Sequence, residues 1–323
     1  MTDNMEYTPV HELVDYITPA PNVFQVDHFG VPDVSRANWS LSVGGLVDRP
    51  LELSVSDLTA LPQREVTAVH ECAGNPASPL IPQRRVANVM WTGVSLTTLI
   101  EAVGVSAQAK YVISQGADGG AWRGSEHPCY EKDLPLSKAS DPSVMVVFEM
   151  NRKPIPIDRG GPLRLVVPGF YGTNSTKWLQ TLCFCAQRST SAFTTTYYTD
   201  REIVGNSTRE TPVWTVAPNS IIVSPVNGRP VDASPLEIWG WCWGAHPIAR
   251  LDVSTDGGHS WEHAELSSHE GDSWQRFALP WAPPSVGEYC LVARATDTLG
   301  DSQPDLPRRN QIYRSLIHVG GRG

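Results

Sequence analysis

The chain has 323 residues, with 34 acidic against 25 basic side chains and a formal net charge of −9. That balance argues against a nucleic-acid binder, which needs a basic face to release counterions, and no apolar run approaches the roughly 20 residues of a membrane span. Apolar residues at 41% and charged residues at 18% suit a globular protein, and the length allows two cores.

Residues 1–22 are acidic and carry neither a charged-then-apolar export pattern nor a twin-arginine pair, so the expected location is cytoplasmic. Abundant Trp, Pro and Gly, with few long Ala/Glu/Lys/Leu runs, favour strands and turns over long helices. WSLSVGGLVDRPLELS (39–54) reads as two strands joined by a Gly/Asp/Pro turn. SVSDLTALP then offers a Ser cap, a short helix and a Pro stop. VHECAGNP (69–76) is strand-like up to Cys72 and then turns sharply.

SLTTLIEAVG (95–104) predicts a helix capped by Ser95, with Leu96, Leu99, Ile100 and Val103 on one face and Gly104 at its end. AKYVISQ, SVMVVFEM, PLRLVVPG and KWLQTLCFC read as short strands. Within the last of these, Cys183 and Cys185 are expected on opposite faces.

From about Pro212 the texture changes. PLEIWGWCWG, IARLDVSTDGGHSWEHAEL, WQRFALPW and GEYCLVARATD are regularly spaced alternating strands, with a hairpin at DGGHS. The fold class is therefore α+β: a mixed α/β domain over residues 1–207, a linker within 208–220, and an all-β immunoglobulin-like sandwich over 208–323.

None of the six cysteines forms C-x-x-C, so a zinc ribbon is disfavoured. Cys242 and Cys290 lie on strands that could face each other, but a reducing cytoplasm favours two buried thiols. Cys72 has four readings on its own residues. It could be a nucleophile with His70 two positions earlier as base, half of a disulfide, a thiolate metal ligand beside Gly74, or an inert buried thiol.

The wider sequence adds a resemblance. ECAGN followed by MWTGVSLTTLIEAVGV resembles the molybdenum-binding core of the sulfite oxidase family. EMNRKPIPIDRGGPLRLVVPGFYGTNSTKWL (149–179) resembles its second signature. VSPVNGRPV, LDVSTDGGHSW and EYCLVARATD resemble its dimerisation domain.

The resemblance runs collinearly from about Ile17 to Asp297 and implies a molybdenum–molybdopterin cofactor in its monophosphate form. It implies Cys72 as the protein ligand to the metal and His28, in FQVDHFGVP, against the pterin. It implies Asp118, in QGADGG, at the cofactor, and Arg164 and Lys177 at the positions of two further cofactor-binding residues. Arg159 stands where the family has the histidine of H-G-x-P-x-R. A family tyrosine beside the metal maps onto Tyr198; a second register puts Ile203 there.

An acidic protein holds a phosphate through local cations and backbone donors, and Arg159, Arg164 and Lys177 cluster in one Gly- and Pro-rich unit. Two departures bear on substrate. The family carries an arginine two positions before the residue matched by His28, here Val26, and a basic residue five after the ligand cysteine, here Ala77.

Two charge-assisted contacts at about 1.5–3 kcal/mol each could amount to a thousandfold or more in affinity for a sulfite dianion. The loop between Cys72 and Trp91 looks shorter than usual in the family. Arg84 and Arg85 lie in it, either as replacements or as an exposed pair.

The implied activity is two-electron oxygen-atom transfer on a small molecule, either sulfite or another sulfur or nitrogen compound. The alternatives are an S- or N-oxide reductase, or a non-catalytic molybdopterin-binding homologue. No haem-binding domain is visible beside the two-domain core. Electrons are therefore expected to leave to an external acceptor, a cytochrome or other, or to dioxygen. The expected assembly is a homodimer, with no nucleic-acid or membrane partner.

Overall fold

The structure is a computed structural model that describes residues 4–5, 7–75, 80–205 and 207–320. The chain folds into two compact units. One comprises Met1–Met5, Gln25–Val66 and Met90–Trp214; the other comprises Glu6–Phe24, Thr67–Val89 and Thr215–Gly323. A single cut at 207/208 would assign both Glu6–Phe24 and Thr67–Val89 to the first unit, whereas both cluster with the C-terminal one. No helix among the described residues is long and apolar enough to cross a membrane.

The first unit is built on a five-stranded sheet in the order Glu131–Pro135, Tyr111–Gly116, Leu179–Cys185, Ser40–Gly45, Leu51–Ser54. The central strand runs antiparallel to Tyr111–Gly116 and parallel to Ser40–Gly45. Elsewhere in the unit, Met145–Met150 pairs antiparallel with Trp91–Ser95 and with Arg164–Val166.

The Ser54 hydroxyl accepts the Asp57 N–H at 3.1 Å while the Asp57 carboxylate accepts the Ser54 N–H at 2.9 Å, a reciprocal cap that starts the helix Val55–Ala60. The helix Leu96–Val103 starts at Ser95, whose hydroxyl accepts the Thr97 N–H, and ends at Gly104, which adopts φ 66° as the left-handed stop requires. Leu96, Leu99 and Val103 are buried, packing into one apolar cluster with Leu41, Val43, Trp178, Leu182 and Phe184.

The second unit is all-β with two sheets. One has the order Asn219–Ser224, Leu236–Trp243, Gln275–Trp281, Glu265–Leu266. The other has the order Pro230–Asp232, Arg314–Gly320, Gly287–Asp297, Ile248–Ser254, Glu262–His263. Ile238, Leu251, Phe277, Leu291 and Val319 form its dry centre. The hairpin expected at DGGHS is present, its turn pinned by the Asp256 carboxylate accepting the N–H groups of His259 and Ser260 at 2.9 Å each.

The early segment Glu6–Phe24 is tied into this unit by two indoles. The Trp241 indole donates to the Leu13 carbonyl at 2.7 Å, and that of Trp274 donates to the Tyr16 carbonyl at 3.0 Å.

The cysteines depart from expectation at one point. Side chains two apart on a strand share a face because the strand period is two, and the sulfurs of Cys183 and Cys185 lie 3.4 Å apart on one side of their strand. All six cysteines are free thiols; Cys242 is buried and Cys290 half-buried.

Candidate active site

Six of the seven predicted site residues fall in the first unit, and the fold draws them together from distant segments. The ring of His28, which follows the short strand Val26–Asp27, shares a hydrogen bond of 2.7 Å between Nε2 and the Tyr198 hydroxyl. It sits among aromatic rings, with Trp122 edge-on at 4.8 Å and Tyr130 stacked at 5.2 Å. Lys177 pairs with the Asp27 carboxylate and donates to the Val26 carbonyl at 3.0 Å, which ties it to the backbone leading into His28.

The stem of Lys177 occupies space that only a glycine leaves. A Cβ at Gly160, itself at φ 93°, would lie 2.6 Å from the Lys177 Cγ. Arg159 immediately precedes that glycine. Its carbonyl accepts from Arg164 Nη1 at 3.1 Å, and the Ser175 carbonyl accepts from Arg164 Nη2 at 3.4 Å. Arg164 is buried with its guanidinium 4.9 Å from the Trp91 ring, and burial together with the Arg159 charge pulls its pKa down to about 10.

Asp118 lies between the strands Tyr111–Gly116 and Gly120–Trp122. It is buried, burial pushes its carboxyl up to about 7, and its Oδ1 has no hydrogen-bond partner in the described structure.

Cys72 falls in the second unit, at the end of the strand Arg64–Glu71. Its N–H donates to the Arg85 carbonyl at 3.0 Å, the Asn75 N–H donates to its carbonyl at 2.9 Å, and the Gly74 N–H points at the sulfur at 3.3 Å. Burial raises the thiol pKa, against the pull of the Gly74 N–H and of the Arg85 guanidinium, which hydrogen-bonds the sulfur.

Arg85 is held over the Tyr7 ring, 4.0 Å from its centroid. Arg84 stacks 4.6 Å from the Tyr313 centroid, its pKa pulled down to about 10 by burial. At 3% and 5% exposure the two arginines are not the exposed pair that their sequence suggests. His70, weighed above as a base for Cys72, stacks on Phe24 at 5.4 Å. Val26 is half-buried, and Ala77 lies outside the described residues.

Two residues were missed in the sequence. Glu71 is fully buried; its carboxylate accepts from Asn75 at 2.9 Å, from Asn219 at 2.7 Å and from the Trp243 indole at 2.8 Å. Lys132, also fully buried, donates to the Phe193 carbonyl at 3.0 Å. Its ammonium lies 5.4 Å from the Tyr198 ring, and burial pulls its pKa down to about 8. Neither carried a local signal: Lys132 sits between Glu131 and Asp133, and Glu71 ends a strand beside Cys72.

Residues 28–193 match the oxidoreductase molybdopterin binding domain, and residues 210–317 match the Mo-co oxidoreductase dimerisation domain. The chain belongs to the sulfite oxidase family of molybdopterin-dependent oxidoreductases.

Mitochondrial sulfite oxidases of Rattus norvegicus and Homo sapiens are each 31% identical over 94% of this chain. The chain spans 60% of the length of those relatives. The NADH nitrate reductase of Solanum lycopersicum is 28% identical over 80% of the chain, which spans 32% of that protein. Among solved structures, the sulfane dehydrogenase SoxCD from Paracoccus pantotrophus superposes with a TM-score of 0.86 at 28% identity. The match covers 98% of this chain and 86% of that one.

The family implies a molybdenum cofactor, and the residues present fit one. Asp118 offers a buried acceptor without a donor. Buried Arg164 feels the charge of half-buried Arg159, itself 3.9 Å from the Asp158 carboxylate, and an anionic group such as a phosphate suits that pair.

Proposed function

We propose that this chain is a sulfite oxidase-like enzyme that transfers an oxygen atom in a two-electron step, with a pocket altered for a substrate other than the sulfite dianion. The bound molybdenum–molybdopterin group would supply that oxygen-atom transfer. Cys72 would give its thiolate to the metal, with the Gly74 N–H and Arg85 taking up part of the sulfur's charge. Arg159, Arg164 and Lys177 would hold the cofactor's phosphate, Asp118 would accept from the pterin's N–H groups, and His28 would lie against the pterin. Tyr198 would present its hydroxyl to the reacting oxygen, held by His28 and polarised by the buried Lys132.

The observation that carries the cofactor reading is the orphaned Asp118 oxygen, in the same unit as the buried Arg164 and the half-buried Arg159. The substrate reading is supported by Val26, which offers no cation where the family has one, and by the likeness to a sulfane dehydrogenase. Both favour a less highly charged sulfur compound. The similarity to a nitrate reductase favours the reductive direction as a second reading. A homodimer passing electrons to a cytochrome, another external acceptor or dioxygen completes the proposal.

The test is metal analysis of protein made in a cofactor-competent host, with its visible spectrum recorded before and after sulfite. About one molybdenum per chain and a thiolate band that sulfite leaves unchanged is the expected result. A band bleached by sulfite would overturn the altered pocket, and a chain without molybdenum would overturn the enzyme. Cys72→Ser is expected to lose the thiolate band and reduce activity to background.

A further inference from the structure

The strands Thr199–Val204 and Ser207–Pro212 pair only with each other, forming a two-stranded antiparallel ribbon immediately after Tyr198. Every described residue from Asp200 to Thr211 is exposed. A two-stranded hairpin with no third strand and no packed face is marginally stable in water.

The tip of this ribbon is also apolar. Ile203 is 81% exposed, more than any other large hydrophobic among the described residues, and Val204 is 52% exposed. Neighbours on a strand point to opposite faces, so both faces of the tip present an apolar side chain, against Thr208 and Ser207 on the paired strand. Nearer the base, Arg201 pairs with Glu210 at 2.9 Å and Glu202 lies opposite Arg209, so the shaft's charges largely cancel. A neutralised shaft with an apolar tip suits insertion into a protein surface rather than permanent hydration.

The identity of that surface follows from continuity. The second strand of the ribbon runs into residues 210–317, the segment that matches the dimerisation domain. We propose that the ribbon is a clasp whose tip is buried against a second copy of this chain. In a two-fold dimer each copy contributes one ribbon and receives one. The inference rests on the homodimer reading and is independent of the cofactor reading. It also makes the partner a support for the base of the ribbon, where Tyr198 meets His28.

Sedimentation of the full chain across a concentration series tests it, comparing the native protein with Ile203→Glu/Val204→Glu. Because both side chains are exposed, the variant is expected to keep native near-ultraviolet dichroism and molybdenum content. Its dimer dissociation constant is expected to rise about a hundredfold or more, as for loss of two anchor side chains.

Amide exchange supplies a second readout. The amides of residues 200–204 are expected to be protected in the dimer and to lose protection on dilution to monomer. A monomeric native protein, an unchanged dissociation constant, or ribbon amides that exchange alike in both states would each overturn the clasp. Molybdenum content in the same samples reports on the cofactor separately.

Discussion

The turn that carries Cys72 and the loop that carries Arg159 and Arg164 handle buried charge in opposite ways. Beside Cys72, the Glu71 carboxyl is surrounded by neutral donors from Asn75, Asn219 and Trp243, which offset part of the burial that raises its pKa. In the arginine loop Arg159 lies 3.9 Å from the Asp158 carboxylate, and Arg164 donates to the Arg159 and Ser175 carbonyls while burial and the Arg159 charge pull its pKa down. In the first, neutral side chains meet the charge; in the second, the cofactor phosphate that we propose would add an anion. A buried charge marks a binding site when its surroundings raise its cost instead of lowering it.

Substitutions at the two places should therefore differ in kind. Glu71→Ala strands several buried donors and is expected to lower unfolding free energy by about 3–5 kcal/mol, read by denaturant titration. A loss below about 1 kcal/mol would show that the carboxylate is dispensable scaffold.

Arg164→Met should behave in reverse, leaving cofactor-free stability nearly unchanged while weakening cofactor retention. The loss of about 1.5–3 kcal/mol of charge-assisted contact corresponds to roughly 10–100-fold. Equal cofactor content in Arg164→Met and native protein after gel filtration would contradict this.

Asp118 gives an effect spread over a range of pH, with a definite sign. Its carboxyl is raised by burial from 3.8 to about 7, so between those values the folded cofactor-free chain holds a proton that the unfolded chain has lost. Stability should be fully present below pH 4 and fall as pH rises toward 7, by at most about 1.4 kcal/mol per pH unit. Asp118→Asn should flatten that slope, and bound cofactor should flatten it as well by donating to the carboxylate. A slope unchanged in Asp118→Asn would assign the dependence to other groups.

Much of the first unit's local structure was legible. Ser95 and Gly104 bracket their helix because a side-chain acceptor and a left-handed glycine act within a few residues of themselves. The strands 109–115 and 177–185 were legible from β-branched and aromatic content between turn residues.

Glu71 was not legible, because its partners Asn219 and Trp243 stand 148 and 172 positions further along. An acid beside a cysteine at a strand end reads as solvated until those partners are known. Arg84 and Arg85 misled for a related reason, since their aromatic seats, Tyr313 and Tyr7, come from opposite ends of the chain. The faces of Cys183 and Cys185 were available from strand period alone; the expectation stated for them contradicted that rule.

The interleaved division of the chain, in which residues 6–24 and 67–89 cluster with residues 215–323, has a consequence during synthesis. The first unit has all its residues once Trp214 has been added, whereas the second must hold two early segments in waiting. Trp243, the donor to Glu71, is added 172 positions later. At about 5–20 residues per second, that is an interval on the order of ten to thirty seconds. Until Asn219 is added the Glu71 carboxylate is answered by water or by Asn75 alone, and the Leu13 and Tyr16 carbonyls lack their indoles. A chain released near residue 214 would therefore display the unsealed edge of a domain it cannot close.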